Sequence, residues 1–183
     1  MPELETPRLR LIALTPGQLS NYLTKPDEFE LQLGYPVSRV NLSDQVQQAM
    51  AAKISKMSMA VKEDYPWYTY WLVVTKITPF GAGLAGYKGA PNFLGQVEIG
   101  YSMDPSCQNQ GYMTEAVRAL VNWAFQSNRC QSITAETIRW NYASRRVLEK
   151  TGFVVVSEKG EAVYWEIRKW MRVGALEGHE TKT

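Results

Sequence analysis

The second half of the chain alternates between strand and helix patterns, and this alternation constrains the fold more than any other feature. The run QVEIGYSM (96–103) predicts a strand, and TEAVRALVNWAFQ (114–126) predicts a helix. A second strand is predicted at QSITAETI (131–138), and a short capped helix at NYASRRVLEKTGF (141–153). This order predicts a mixed α/β domain.

The first half predicts strands and helices in a less regular order. RLRLIAL (8–14) alternates basic and apolar residues, which is typical of a half-exposed strand, and a helix is predicted to begin near Pro16. A second helix is predicted over 43–63, and the aromatic, β-branched run WYTYWLVVTK (67–76) predicts another strand. Two strands around the turn SEKGE (157–161) are predicted to close the domain.

The segment GAGLAG (81–86) matches the dinucleotide-binding fingerprint G-x-G-x-x-G. That site requires a helix directly after the glycines, because the helix N-terminus faces the pyrophosphate. The following residues, YKGAPNFLG (87–95), contain Pro91 and have no helical periodicity. The sequence therefore predicts a strand-turn-strand segment here and argues against a dinucleotide site.

The composition of the chain argues against several classes of binding partner. The 20 basic and 18 acidic residues give a net charge of +2, which is too small to indicate nucleic acid or an anionic membrane as a partner. The single histidine, His179, and the two cysteines form no metal-binding pattern. No apolar run approaches the roughly 18 residues of a membrane span, and no secretory signal is apparent. We expect one domain over 1–173, a polar tail over 174–183 and a cytoplasmic location.

A phosphate site is predicted within SMDPSCQNQGYMTEAV (102–117). A strand is predicted to end near Met103 and a helix to begin near Thr114, and Gly111 between them permits close backbone approach. Amide groups of the loop and the helix dipole would favour one anionic group. Without G-K-[ST], a diphosphate held without metal fits better than a metal-bound triphosphate. A plain strand-to-helix turn is the alternative.

The segment QNQGYM (108–113) resembles the Q/R-x-x-G-x-G/A pyrophosphate loop of the GNAT acetyltransferase superfamily. This sequence departs from that pattern at Met113, where glycine or alanine is usual, and at Gln108, where arginine is commoner. Three further segments look like the branch that contains ribosomal-protein N-terminal alanine acetyltransferases: ETPRLRL (5–11), GYKGAPNFLGQVEIGY (86–101) and NYASRRVLEKTGF (141–153).

The resemblance implies a single domain with a mixed, mostly antiparallel sheet, splayed central strands and flanking helices. It also implies acetyl-coenzyme A (acetyl-CoA) as cosubstrate, without a metal, between parallel strands 96–103 and 131–138. The pantetheine arm would be bound by backbone groups of Tyr101 and Met103 and by Asn141. The residues implied for the diphosphate are Gln108, Asn109, Gln110, Gly111, Tyr112, Met113 and Thr114.

Acyl transfer from a thioester to an amine requires a neutral amine, a stabilised oxyanion and a proton for the thiolate. The resemblance implies Glu98 as the base, with Glu136 or water alone as alternatives. Glu98 could instead have a purely structural role, as a salt-bridged glutamate on a strand. The resemblance implies Ser144 as the candidate proton donor, because the ribosomal-protein-like branch carries serine three residues after the asparagine. Many other members of the superfamily use a tyrosine, but Leu148 stands at that position here. Ser144 also fits the first turn of a helix capped by Asn141.

The function expected is that of an N-acetyltransferase acting on a primary amine by direct attack in a ternary complex. The acceptor is left open between a protein N-terminus and a small-molecule amine, and the few acidic residues of KEDYPW (62–67) favour a weakly charged one. A non-catalytic acyl-CoA-binding or regulatory module of the same fold is the alternative. A homodimer is also considered.

Overall fold

In the computed structural model, which describes residues 1–39 and 42–170, eight strands form one sheet in the order β1-β2-β3-β4-β5-β6-β8-β7. The strands are β1 (Glu3–Glu5), β2 (Leu9–Ala13), β3 (Tyr70–Thr75), β4 (Phe80–Tyr87), β5 (Gln96–Met103), β6 (Ser132–Ile138), β7 (Val154–Lys159) and β8 (Ala162–Arg168). The helices of the described residues are α1 (Pro16–Thr24), α2 (Pro26–Leu33), α3 (Asp44–Met59), α4 (Tyr65–Tyr68), α5 (Tyr112–Gln126) and α6 (Tyr142–Thr151).

The two central strands, β5 and β6, form the one parallel pair of the sheet described here. Their register covers only Gln96 to Glu98 on β5, opposite Ser132 to Thr134 on β6. Beyond Glu98, β5 pairs only with β4, and β6 continues only with β8. The strands therefore separate, which confirms the predicted mostly antiparallel sheet with splayed central strands.

Apolar side chains pack in two layers, one on each face of the sheet. Alternate strand residues such as Val97 and Ile99 pack against the buried face of α5. On the opposite face, Leu72 and Leu84 pack with residues of α1, α2 and α3. Successive residues of one strand therefore point alternately toward the α5 layer and toward the layer of α1, α2 and α3.

The prediction of a strand over 67–76 is wrong at its start. Residues 65–68 form the short helix α4, with Pro66 in its first turn, where a missing N–H costs nothing, and β3 begins only at Tyr70. The aromatic residues that suggested a strand pack against a helix instead. The ring centroids of Trp67 and of Trp123 on α5 are 4.5 Å apart.

The prediction of a turn within GAGLAG (81–86) is also wrong, because the whole segment lies inside β4. The glycines allow close approach of neighbouring backbone. A Cβ on Gly86 would lie 2.6 Å from the Thr69 carbonyl oxygen, and one on Gly83 would overlap the Ser102 carbonyl oxygen. The prediction that no helix follows the segment is confirmed, since β4 leads through a turn into β5.

Other boundaries differ by a few residues. The helix predicted over 43–63 ends at Met59, and the one predicted from Thr114 begins at Tyr112. The start near Pro16 is confirmed by a capping box in which Thr15 and Gln18 satisfy each other's backbone N–H groups. Strand β1 and helix α2 were not predicted. His179 and the expected tail (174–183) lie outside the described residues, and within them no helix is long and apolar enough to cross a membrane.

Candidate functional site: a cleft at the splayed strands

A cleft of about 400 Å³ opens beside the end of β5, between the start of α5 and one face of α6. It brings together most of the residues predicted for the site. Those that line it are Tyr101, Met103, Gln108, Asn109, Gly111, Tyr112, Met113, Thr114, Asn141 and Ser144. Gln110 and Glu98 do not line it.

The loop before α5 ends in a helix N-terminus without a side-chain cap. Gly111 is the N-cap residue and has φ 78°, a left-handed conformation that favours glycine. The first-turn N–H groups of Tyr112, Met113 and Thr114 have no carbonyl partner within the helix. Because these groups and the helix dipole face one end of the cleft, they suit a diphosphate.

The two departures from the family loop fit this arrangement. The Met113 side chain packs in the core beneath α5, although the residue also lines the cleft. Gln108 donates from Nε2 to the Met103 carbonyl oxygen at 3.1 Å, which ties the loop to the end of β5. Gln110 is directed elsewhere, because its Nε2 donates to the Ser106 carbonyl oxygen at 3.0 Å.

Arg8, which sequence reasoning missed, holds the loop from the other side. Its Nη1 donates to the Gln110 carbonyl oxygen at 2.9 Å, and its Nε lies 2.7 Å from the Glu115 carboxylate. Its guanidinium also lies over the Tyr112 ring, 4.7 Å from the centroid. The segment ETPRLRL contains Arg8, but no local pattern indicates a contact that spans more than 100 residues.

Glu115 lies in the first turn of α5 but is directed away from the loop opening. It accepts hydrogen bonds from the Thr6 hydroxyl at 2.6 Å and from the Arg8 backbone N–H at 2.9 Å. Burial raises the pKa of Glu115, but the hydrogen bonds from Thr6 and Arg8 outweigh it, so the pKa is lowered. The carboxylate is therefore ionised at neutral pH, and the guanidinium of Arg8 balances its negative charge.

Two hydroxyl groups meet at the base of the cleft. Ser144 Oγ donates to the Tyr101 hydroxyl at 3.0 Å, and that hydroxyl donates to the Ser144 carbonyl oxygen at 3.1 Å. Burial raises the pKa of Tyr101 to about 12, against the opposing effect of the Ser144 hydrogen bond, so the phenol is protonated at neutral pH. Sequence reasoning assigned Tyr101 only a backbone role. Leu148 is buried in the core and supplies no such group.

Asn141 caps α6, as predicted, because its Oδ1 accepts the Ser144 backbone N–H at 3.0 Å. The amide nitrogen of Asn141 makes no hydrogen bond within the described residues, and the side chain is exposed at the mouth of the cleft. Its donor group is therefore available to an acceptor lying in the cleft.

Glu98 lies on the opposite face of the sheet from the cleft lining. Val97 and Ile99 point into the core with α5, so Glu98 between them points toward the α3 face. Its carboxylate forms an ion pair with Lys88. Glu98 is paired in register with Thr134, and Glu136 lies two residues further along β6, on the same face. The two candidate bases therefore lie on adjacent strands of one face.

The surface of the sheet is open at Gly100, two residues beyond Glu98 on β5 and on the same face. Gly86 and Gly100 are opposite each other on β4 and β5, and a Cβ on Gly100 would meet no atom within 4 Å. Lys53 of α3 lies nearby, with its Nζ donating to the Tyr87 carbonyl oxygen and 4.7 Å from the Tyr70 ring centroid. This open surface meets the cleft where β5 and β6 separate.

Lys53 is buried, and its surroundings disfavour a charge. Burial lowers the pKa of Lys53 to about 7, and the nearby ammonium groups of Lys56 and Lys88 contribute to the shift. Its two carbonyl acceptors, on Tyr68 and Tyr87, partly offset that cost when it is protonated.

Comparisons with known proteins identify the family to which the chain belongs. A family model described as "Acetyltransferase (GNAT) domain" matches residues 8–154. The uncharacterized N-acetyltransferase YjdG of Bacillus subtilis is 34% identical over 95 residues, which is 52% of this chain. The chain thus spans 56%, about half, of that relative's length.

The solved structures that share the fold include two ribosomal-protein acetyltransferases. One is RimL, a ribosomal L7/L12 alpha-N-protein acetyltransferase in complex with coenzyme A, with a TM-score of 0.64, 14% identity and coverage of 91% of this chain and 98% of that one. The other is the ribosomal-protein-S5-alanine acetyltransferase of Vibrio fischeri, with a TM-score of 0.63, 19% identity and coverage of 92% and 97%.

Proposed function

Because this chain belongs to the GNAT acetyltransferase family, we propose that it is an N-acetyltransferase that transfers the acetyl group of acetyl-CoA to a primary amine. The observation that carries the proposal is the cleft at the splayed strands, which ends in the uncapped N-terminus of α5. Both substrates would be held together, so that the amine attacks the thioester directly.

The residues of the cleft fit acetyl-CoA, which when bound supplies an activated acetyl thioester. Backbone N–H groups from Gly111 to Thr114 bind the diphosphate, and no metal is needed there because the helix dipole and amides favour the anion. Backbone groups of Tyr101 and Met103, which leave the parallel pairing, bind the pantetheine arm together with the Asn141 amide.

Glu98 accepts a proton from the amine, directly or through water, with Glu136 as the second candidate. A lysine side chain with a pKa of about 10.4 costs roughly 4–5 kcal/mol to neutralise at pH 7, whereas an α-amine with a pKa of about 7.7–8.0 costs about 1 kcal/mol. An α-amine therefore needs only a modest base to remove its proton. This favours an α-amine such as a protein N-terminus, a class of substrate that the name of RimL, an alpha-N-protein acetyltransferase, also carries.

Ser144 delivers the proton to the leaving thiolate. Its hydroxyl lies in the cleft at the start of α6, and the Tyr101 hydroxyl is 3.0 Å away. Because burial keeps Tyr101 protonated, its hydroxyl can turn to donate to Ser144 Oγ as the serine gives up its own proton. Ser144 and Tyr101 together would then serve as the proton donor, in place of the tyrosine that many members of the family carry at the position of Leu148.

A second candidate is a non-catalytic acyl-CoA-binding or regulatory module. The observations that favour it are the ion pair that occupies Glu98 and the leucine at position 148. Thiol release from acetyl-CoA, measured across a panel of α-amines, polyamines and amino sugars, separates the two. We expect amine-dependent release, fastest with peptide α-amines. Saturable acetyl-CoA binding without release for any amine would favour the non-catalytic module.

A further inference from the structure

Three cations at the outer end of the cleft have no carboxylate partner in the part of the chain that the structure describes. Arg146 and Lys150 lie one helical turn apart on α6, and both line the cleft beside the phosphate loop. Arg118 of α5 donates from Nη2 to the Lys150 carbonyl oxygen at 3.0 Å, which places a third cation at the same end. Within residues 1–39 and 42–170, none of the three forms an ion pair.

The carboxylates around this end of the cleft are already neutralised. A groove that adjoins the cleft is lined by Lys150, Arg118, β1 and one side of α5, and it contains three glutamates. Glu115 is paired with Arg8 at 2.7 Å, Glu5 with Lys76 at 2.6 Å and Glu3 with Arg10 at 3.6 Å. The unpaired charge at the junction of cleft and groove is therefore positive.

The position of these cations follows the order of groups along coenzyme A. Asn141 at the start of α6 lies at the pantetheine end, and Lys150 follows nine residues later, roughly 13 Å along the helix axis at about 1.5 Å per residue. Gly111 and Thr114, in the diphosphate cradle, line both the cleft and the adjoining groove, as does Lys150. Beyond its diphosphate, coenzyme A carries one further phosphate, the 3′-phosphate of the ribose.

We propose that Arg146 and Lys150, with Arg118 beside them, form a binding site for the 3′-phosphate of coenzyme A. The assignment rests on the proposed function, since it requires the diphosphate at the N-terminus of α5. A phosphate dianion is matched by the arginine fork and the lysine ammonium, and both are held on the rigid surface of one helix. The chain would thereby distinguish coenzyme A from its dephosphorylated form.

The test is calorimetric titration of the full chain with acetyl-CoA and with 3′-dephospho-acetyl-CoA. We expect the wild-type protein to bind acetyl-CoA at least about tenfold more tightly, because dephospho-acetyl-CoA cannot make the charge-assisted hydrogen bonds of the 3′-phosphate. The double variant Arg146→Gln, Lys150→Gln should lose most of this preference and bind dephospho-acetyl-CoA as the wild type does.

Arg145→Gln is the matched control. Arg145 lies on the same helix, but its Nη1 donates to the Arg139 carbonyl oxygen and it does not line the cleft, so the preference should remain. Equal wild-type affinity for the two ligands, or an unchanged preference in the double variant, would overturn the 3′-phosphate site and leave the proposed function standing. Absence of binding by both ligands would overturn the proposed function as well.

Discussion

The hydroxyl of Ser144 has one hydroxyl partner, the phenol of Tyr101, and the pair lies in the cleft. We predict that Ser144→Ala lowers kcat by at least about tenfold, because loss of a positioned general acid typically costs more than that. Tyr101→Phe should lower kcat less, since Ser144 keeps its own proton. Steady-state thiol release measures both, and Ser58→Ala, on the exposed side of α3, is the control. Wild-type kcat in Ser144→Ala would remove Ser144 from the mechanism.

Glu98 lies across the sheet from the cleft lining, so its role in the reaction is separable from cosubstrate binding. We predict that Glu98→Gln lowers turnover at neutral pH by about 10²-fold or more, the usual effect of losing a general base, and leaves acetyl-CoA affinity unchanged. Glu136→Gln, measured in the same assay, distinguishes the two carboxylates. Unchanged turnover in Glu98→Gln with a loss in Glu136→Gln would transfer the role of base to Glu136.

Lys53 makes stability depend on pH. Its pKa is lowered from 10.5 to about 7 by burial, with help from Lys56 and Lys88. Between those values the unfolded chain holds a proton that the folded chain releases, so the free energy of unfolding rises with pH from about 7 upward, by at most about 1.4 kcal/mol per pH unit.

Urea denaturation at pH 7, 8 and 9 measures this slope. Lys53→Met should flatten it, whatever the change in absolute stability. The same slope in the wild type and in Lys53→Met would show that Lys53 titrates normally in the folded protein.

At the scale of the element, helix α5 depends on a left-handed glycine at its N-cap. We predict that Gly111→Ala costs about 1–2 kcal/mol, because a Cβ is disfavoured in that conformation, and that it weakens acetyl-CoA binding by shifting the loop. Gly34, which ends α2, has the same φ of 78° and no atom within 4 Å of an added Cβ.

Gly34→Ala is therefore the matched control, with a similar loss of stability and no loss of affinity. Urea denaturation and calorimetry measure the two quantities. Equal acetyl-CoA affinity in Gly111→Ala and Gly34→Ala would argue against the loop as the diphosphate site.

Elements with strong local signals could be predicted from the sequence. Strand β5 matches its predicted range, and α6 has the predicted caps at Asn141 and Gly152. Elements determined by distant contacts could not. GAGLAG is a continuous strand because it pairs with β3 on one side and β5 on the other. Its glycines accommodate the close approach of Ser102 and Thr69, and such distant contacts leave no local pattern.

The same division holds for the candidate site. The phosphate loop is contiguous in sequence, so its glycine and the helix after it were visible as a motif. Arg8 and the Tyr101 hydroxyl reach the site from strands far away in sequence, over 102 residues to Gln110 and 43 residues to Ser144. Their roles depend on side-chain direction, which only the folded sheet determines.

At the scale of the whole molecule, the sheet separates the two proposed substrate regions. The cleft proposed for acetyl-CoA lies on the α5 and α6 side, whereas Glu98, Glu136 and the open surface at Gly100 lie on the α3 side. The gap between β5 and β6 joins the two sides. The proposed direct attack would require the thioester and the amine to meet at this gap.

The measurement that tests the central claim most directly is amide hydrogen exchange of residues 108–114, resolved by NMR, with and without saturating acetyl-CoA. The N–H groups of Tyr112, Met113 and Thr114 lack helical partners in the free protein and should exchange readily. On binding, we predict that their exchange slows by at least about tenfold, because the diphosphate accepts their hydrogen bonds, while exchange in β7 is unchanged. Unaltered exchange at these three amides under saturating acetyl-CoA would contradict the account.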